Sequence, residues 1–210
     1  CKDDRYRLDK TGYFLLHDDM AAKNLNFIHD VCYQGLFDLD DSLKQGKAIG
    51  LKHFGDWDTI YPGLSQLPEQ TKKSWFEFDH YYSDHAFDSL LPLIFKSDPA
   101  HIIDVGGNTG KWAFACTRYN KNVNVTIMDL PGQLAVAMKN AQACLVADRV
   151  HPFETDLLDS NKPFYQGGDL YWMSQFLDCF SKQQIITILQ RTVAAMKPDS
   201  ELCILETYWD

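Results

Sequence analysis

The chain has 210 residues, 45% of them apolar, enough to bury a core as one large domain or two small ones. With 29 acidic against 20 basic side chains the formal charge is -9, which argues against nucleic acid, whose binding runs on Lys and Arg displacing counterions from phosphates. No apolar run reaches the roughly 20 residues of a membrane helix. The start, CKDDRYRLDK, lacks a basic-then-apolar leader pattern, so a cytoplasmic protein with no membrane partner is expected.

The six cysteines, Cys1, Cys32, Cys116, Cys144, Cys179 and Cys203, are scattered without a CxxC pair and read as buried thiols of a reducing compartment, with no metal site. The stretch YRLDKTGYFLLHDD holds two short runs around Asp9, Lys10, Thr11 and Gly12 and suits a hairpin, or a strand leading into a helix. From about Met20 to Phe95 the apolar spacing is helical: NLNFIHDVCYQGLFDLDDSLKQG ends at a glycine, and LPEQTKKSWFEFDHYYSDHAFDSLLPLIF repeats at threes and fours.

At KSDPA the character changes. HIIDVG, VNVTIMDL, VHPFETD, GGDLYWMSQFLD and SELCILETYW read as strands, and GKWAFACTRY, PGQLAVAMKNAQAC and SKQQIITILQRTVAAMK as helices. That alternation predicts a parallel sheet with crossover helices, and a ligand crevice at the carboxyl ends of the strands. The chain begins with Cys and stops directly after a strand, so it is expected to be a piece of a longer protein.

The turn DVGGNTGKWA at 104–113 narrows the ligand. A dinucleotide fingerprint needs G-x-G-x-x-G, but Asn108 stands where its second glycine belongs; a P-loop fails because Trp112 follows Lys111. What remains is a glycine turn followed, one strand later, by Asp129, and a carboxylate at that place can accept both hydroxyls of a ribose. With no pyrophosphate to cradle, S-adenosylmethionine is the adenosine cofactor that fits. The alternative is that the glycines only make a tight turn and that Asp129 caps the helix beginning at Pro131.

DVGGNTGKWA, IMDLPGQ (127–133), TDLLD (155–159) and DLYWMSQFLDCFSKQQIITILQR (169–191) together resemble the successive motifs of the S-adenosylmethionine-dependent O-methyltransferases that include the plant phenolic and hydroxyindole enzymes. The opening YRLDKTGYFLL resembles the last strands of that family's winged-helix dimerisation domain. The resemblance implies an α/β fold, a Rossmann-like, doubly wound parallel sheet preceded by a helical layer and a partial winged-helix domain. It divides the chain into 1–95, for dimerisation and acceptor lining, and 96–210, a carboxyl-terminally incomplete cofactor domain. It further implies a homodimer acting on a small aromatic substrate.

Carried over position by position, the resemblance brings Gly106 and its neighbours to the methionine portion of the cofactor and counts Asp104, Gly107, Gly110 and Ser174 among the cofactor-binding residues. Asp129 would bind the ribose with Leu130 against the adenine, and Asp156 with Leu157 would contact the adenine edge. The family carries a general-base His in an HDW segment; here the aligned residues are Asp178, Cys179 and Phe180, and the usual Lys upstream is Ser174. A free Asp (pKa about 3.9) is a weaker base than a free His (about 6.5), so Asp178 needs desolvation, or good alignment of the reactants, to serve. His80, one helical turn from Asp84 among Trp75, Phe76, Tyr81 and Tyr82, is a second catalytic candidate for binding or deprotonating a phenol. Transfer to a phenolic oxygen is the leading expectation. Ring C-methylation and a catalytically inactive cofactor-binding scaffold are the alternatives, and an oxidoreductase is disfavoured by the missing glycine.

Overall fold

The computed structural model describes residues 6–207 and divides into two compact units, 1–82 and 83–210. Helix α1 (Lys10–His17) opens the first, followed by α2 (Asp19–Phe27), a π-helical turn (Ile28–Cys32), the single turn α3 (Tyr33–Gly35) and α4 (Leu39–Gln45). Neither the hairpin nor the leading strand expected here is formed: residues 6–9 carry no regular structure, and only the helix start of the second expectation is present, at Lys10, where Asp9 accepts a 2.8 Å bond from the Gly12 N–H as the N-cap of α1. No strand occurs among the described residues of this unit. The expected stop at Gly46 is a left-handed C-cap at φ 62°. Inside the unit, Phe27 stacks on Phe78 at 4.1 Å, and Asp30 accepts from Ser74 and Gln70.

Helix α5 (Glu69–Ile94) begins in the first unit and ends in the second. After it come β1 (His101–Val105), α6 (Lys111–Tyr119), β2 (Asn124–Asp129), α7 (Pro131–Ala143), β3 (Val150–Glu154), β4 (Leu170–Ser174), α8 (Lys182–Ala195) and β5 (Glu201–Leu205). All eight elements from β1 onward match the alternation read from the sequence. The strands form one parallel sheet in the order β3-β2-β1-β4-β5. Pro152 lies in β3, an edge strand, where its missing N–H is tolerated.

Successive residues of β4 face opposite layers. Trp172 stacks on Trp112 of α6 at 4.0 Å, while the Tyr171 hydroxyl donates to the Ala195 carbonyl at the end of α8. Helices therefore cover both faces, and Ile102, Val125, Ile127, Leu170 and Trp172 are buried between them. Each such side chain contributes about 1.5–3 kcal/mol by leaving water. The chain runs outward through β1, β2 and β3 and then returns to β4, so the order reverses between β1 and β4, where sheets of this kind open a crevice at the strands' carboxyl ends.

No disulfide joins any of the five described cysteines. Cys116 is buried as expected, but Cys32, Cys179 and Cys203 are only half-buried, and Cys144 is exposed because it follows the last turn of α7. No helix among the described residues is long and apolar enough to cross a membrane.

Candidate functional site

The β1 strand ends at Val105 and the chain turns through Gly106 (φ 73°), Asn108 (φ 48°) and Gly110 (φ 86°) before α6. Three left-handed residues in five make a turn few sequences can follow, and Asn is one of the non-glycine residues that tolerates that conformation. The turn is also crowded. A β-carbon at Gly106 would lie 2.3 Å from the Phe176 ring, at Gly107 2.5 Å from the Asp104 carboxylate, and at Gly110 2.6 Å from Phe114.

Asp129 closes β2 beside this turn and is 2% exposed. Its two carboxylate oxygens accept from the Asn108 N–H (2.9 Å) and the Leu130 N–H (2.7 Å). Burial raises its pKa from 3.8 to about 6 against the lowering effect of those bonds. The helix-cap alternative for Asp129 is not what forms: Leu130 is the N-cap residue of α7, with no side-chain cap bond. Asp104, 3% exposed at the end of β1, is pushed up to about 8 by burial and then by the Asp129 charge, and its Oδ2 has no hydrogen-bond partner.

Gln133, buried on α7, donates to the Asn108 side-chain oxygen at 2.7 Å, and Asn140 donates to the Thr109 carbonyl at 3.2 Å. Helix α7 thus holds the glycine turn in place. Sequence reasoning missed this, and its only local trace was a polar residue on the inner face of an otherwise apolar helix.

Past β3, the Thr155 N–H donates to the Asp129 carbonyl, which sets residues 155–157 beside the end of β2. Asp156 accepts from the Leu158 N–H and is half-buried; Leu157 is buried and its carbonyl accepts from Arg191. Leu130 is half-buried at the start of α7.

Ser174 is the last residue of β4, and Gln175 follows in a left-handed conformation (φ 44°). The Ser174 Oγ and the Gln175 Oε1 are buried without hydrogen-bond partners. Each such atom costs about 1–3 kcal/mol, and the backbone strain about 1–3 kcal/mol more. Asp178 sits in a short 3-10 turn (Leu177–Cys179) and is exposed, so the residues around it do not supply the desolvation expected of an acidic base. It does not cap α8: Ser181 does, with Gln184 completing a capping box.

A second acid missed in the sequence stands nearby. Glu206, just past β5, accepts from the Phe176 N–H (2.9 Å) and the Leu177 N–H (2.8 Å), fixing the turn that carries Asp178. Burial raises its pKa, and the Asp178 carboxylate adds to the rise. In the first unit, His80 is half-buried with Phe76 at 6.2 Å. Asp84 belongs to the second unit and accepts from Lys111 at 3.2 Å. Among the described residues no His, Cys, Asp or Glu cluster could hold a metal ion.

Residues 86–210 match the family model of the O-methyltransferase domain. The chain belongs to this family. Among curated relatives it is 21% identical over 210 residues to L-tyrosine C(3)-methyltransferase of Streptomyces lavendulae, covering 98% of this chain and 57% of that protein. It is 25% identical to bacteriochlorophyllide d C-20 methyltransferase of Chlorobaculum tepidum, covering 93% and 53%. The chain therefore spans about half the length of these relatives. Among solved structures, PigF with SAH superposes with a TM-score of 0.77 at 19% identity over 96% of this chain and 61% of that one, a likeness of fold.

The family's cofactor is S-adenosylmethionine, and the site fits it. Each Asp129 oxygen uses one acceptor position on a backbone N–H and keeps a second, as a ribose diol requires. Leu130 is half-buried beside Asp129, and the orphaned oxygens of Ser174 and Gln175 lie at the strand end next to Gly106.

Proposed function

We propose that the full-length protein transfers a methyl group from S-adenosylmethionine to the oxygen of a small aromatic, phenolic acceptor. The observation that carries this reading is the buried Asp129 carboxylate, pinned by two backbone N–H groups beside a strained glycine turn in a chain of the O-methyltransferase family. Bound there, the cofactor supplies an electrophilic methyl carbon on a sulfonium. Asp129 fixes the nucleoside, and the glycine turn lets the backbone approach the methionine end. Asp178 takes the phenol proton, with Glu206 holding its turn in place. An exposed Asp is a modest base, so alignment of the acceptor carries more of the acceleration than proton transfer does. His80 is the competing base.

Ring C-methylation is the second reading. It is favoured by two relatives matched over nearly the whole chain, both named for methylation at carbon, and by the absence of the family's His from its aligned position. Incubating the full-length protein with cofactor and a panel of phenols, and locating the added methyl by mass spectrometry and NMR, separates the two. A product gaining no methyl on any aromatic acceptor refutes both and leaves the scaffold reading.

The protein is further proposed to act as a cytoplasmic homodimer. Supporting the dimer, the first unit leaves the large apolar side chains of Leu16, Phe37, Leu39 and Leu43 exposed, the kind of surface that an isologous interface covers. Light scattering that gives a monomer at micromolar concentration refutes the dimer.

A further inference from the structure

Two amide side chains on one face of α7 grip consecutive residues of the glycine turn. Gln133 and Asn140 stand about two helical turns apart, with Ala137 buried between them. Asn140 donates to the Thr109 carbonyl at 3.2 Å, and Gln133 donates to the Asn108 side-chain oxygen at 2.7 Å. The second bond continues further. The Asn108 N–H donates to one Asp129 oxygen at 2.9 Å, the other Asp129 oxygen accepts from the Leu130 N–H at 2.7 Å, and the Leu130 carbonyl accepts from the Gln133 N–H at 3.1 Å. These bonds close a ring through Asp129, Asn108, Gln133 and Leu130.

Asn108 is the member of the ring that needs holding. Its φ of 48° is left-handed, a conformation that glycine adopts freely and that Asn only tolerates. The Asn side chain also bonds readily to nearby backbone groups, and such a rearrangement would turn the Asn108 N–H away from Asp129. Gln133, 5% exposed and fixed by its place in α7, removes that freedom by engaging the Asn108 amide oxygen. For Asp129, direction decides what it can bind. A ribose offers two neighbouring hydroxyls, and both are met only when the two carboxylate oxygens face them together.

We propose that Gln133 is a positioning residue for ribose recognition, acting on Asp129 through Asn108, and that the Asn108–Gln133 pair does at this turn what a glycine would do alone. This rests on the cofactor reading of the Asp129 site. Gln133 needs no contact with the ligand for this role. With the ring closed, the carboxylate is oriented before the ligand arrives, so less ordering opposes binding.

The test is calorimetric titration of the full-length protein with S-adenosylhomocysteine and with its 2′-deoxyribose analogue, which offers Asp129 one hydroxyl in place of two. The wild type is expected to prefer the first roughly tenfold to a hundredfold, the worth of one bond to a charged group. Gln133→Leu keeps the bulk of the side chain and removes its amide. It is expected to cut that preference about fivefold or more, by weakening S-adenosylhomocysteine while leaving the deoxy analogue nearly unchanged. Adding Asn108→Gly, which suits the left-handed backbone and leaves no side chain to anchor, is expected to restore the wild-type preference. A role in stability alone would lower the melting temperature and weaken both ligands by the same factor. That result, an unchanged preference in Gln133→Leu, or a double variant no better than the single one, overturns the proposal while the nucleoside site stands. If Gln133→Leu does not fold, Asn108→Gly and the double variant supply the comparison: equal preferences support the proposal, and a lower one in the double variant overturns it. A wild type that binds both ligands equally, or neither, overturns the cofactor reading of Asp129 as well.

Discussion

Asp129→Ala discriminates between a ligand carboxylate and a structural one. In the folded chain this carboxylate accepts from two backbone N–H groups, at 2.9 and 2.7 Å, in a site that is 2% exposed. Removing it leaves both donors unpaired, at about 1–3 kcal/mol each. Against this stands the cost of keeping the charge buried. Its pKa rises from 3.8 to about 6, which above pH 6 amounts to about 3 kcal/mol at about 1.4 kcal/mol for each tenfold change in proton affinity. The two effects nearly offset, so thermal unfolding at pH 7.5 should shift by only a few degrees, on the order of 1–2 kcal/mol. Binding has no such offset: losing the ribose acceptor should weaken S-adenosylhomocysteine by about 1.5–3 kcal/mol, and methylthioadenosine equally, since both carry the ribose. Calorimetric titration beside a melting curve reads both quantities. A variant that unfolds far below the wild type yet binds both nucleosides normally refutes the reasoning, because Asp129 would then serve the turn alone.

Protonation of the same carboxylate gives a pH signature: nucleoside affinity should fall as the pH drops below about 6, where Asp129 becomes neutral, and a flat profile between pH 5 and 8 would contradict it. Asp104, raised to about 8, binds its proton more tightly folded than unfolded, so its contribution to stability is present at low pH and is lost as the pH rises from about 4 toward 8. Asp104→Asn should therefore stabilise the protein more at pH 8 than at pH 5 in thermal melts; equal effects would mean the residue is not buried as described. Asp178→Asn should cut turnover by roughly 100- to 10,000-fold with S-adenosylhomocysteine affinity intact, whereas His80→Gln should act mainly on acceptor KM. Normal turnover in the first variant with none in the second reverses the assignment. Gly106→Ala should lose at least about 1–2 kcal/mol of stability from its φ of 73° alone. Phe176→Ala should recover part of the additional steric loss in a double-mutant cycle, and strict additivity would show that the ring is not the obstacle.

The sheet was legible because short β-branched and apolar runs alternate with helix-period segments throughout the second unit, with Gly106 and Pro131 standing just past the first two strands. Val150–Glu154 survives even with Pro152 inside it, since an edge strand needs one fewer donor. The glycine turn and Asp129 were legible for a chemical reason: few residues tolerate such a turn, and a buried acid needs partners. Local pattern failed at Lys10–His17, where eight residues are too few for periodicity to separate strand from helix and the Asp9 cap decides. It also could not reveal Gln133 or Glu206, whose roles exist only once α7 lies on the turn and β5 lies beside β4. The exposure of Asp178 is likewise set by tertiary packing, which a motif alignment does not contain.

The glycines at 106, 107 and 110 face Phe176, Asp104 and Phe114, which are parts of the protein itself. Selection to keep the chain folded would therefore preserve them whether or not the protein methylated anything. In this architecture the motif records the demands of the fold, and its presence alone does not report on chemistry. Gln175 is the contrary case: its left-handed backbone would suit glycine and its buried oxygen has no partner to lose, so on both counts the fold itself does not ask for this side chain.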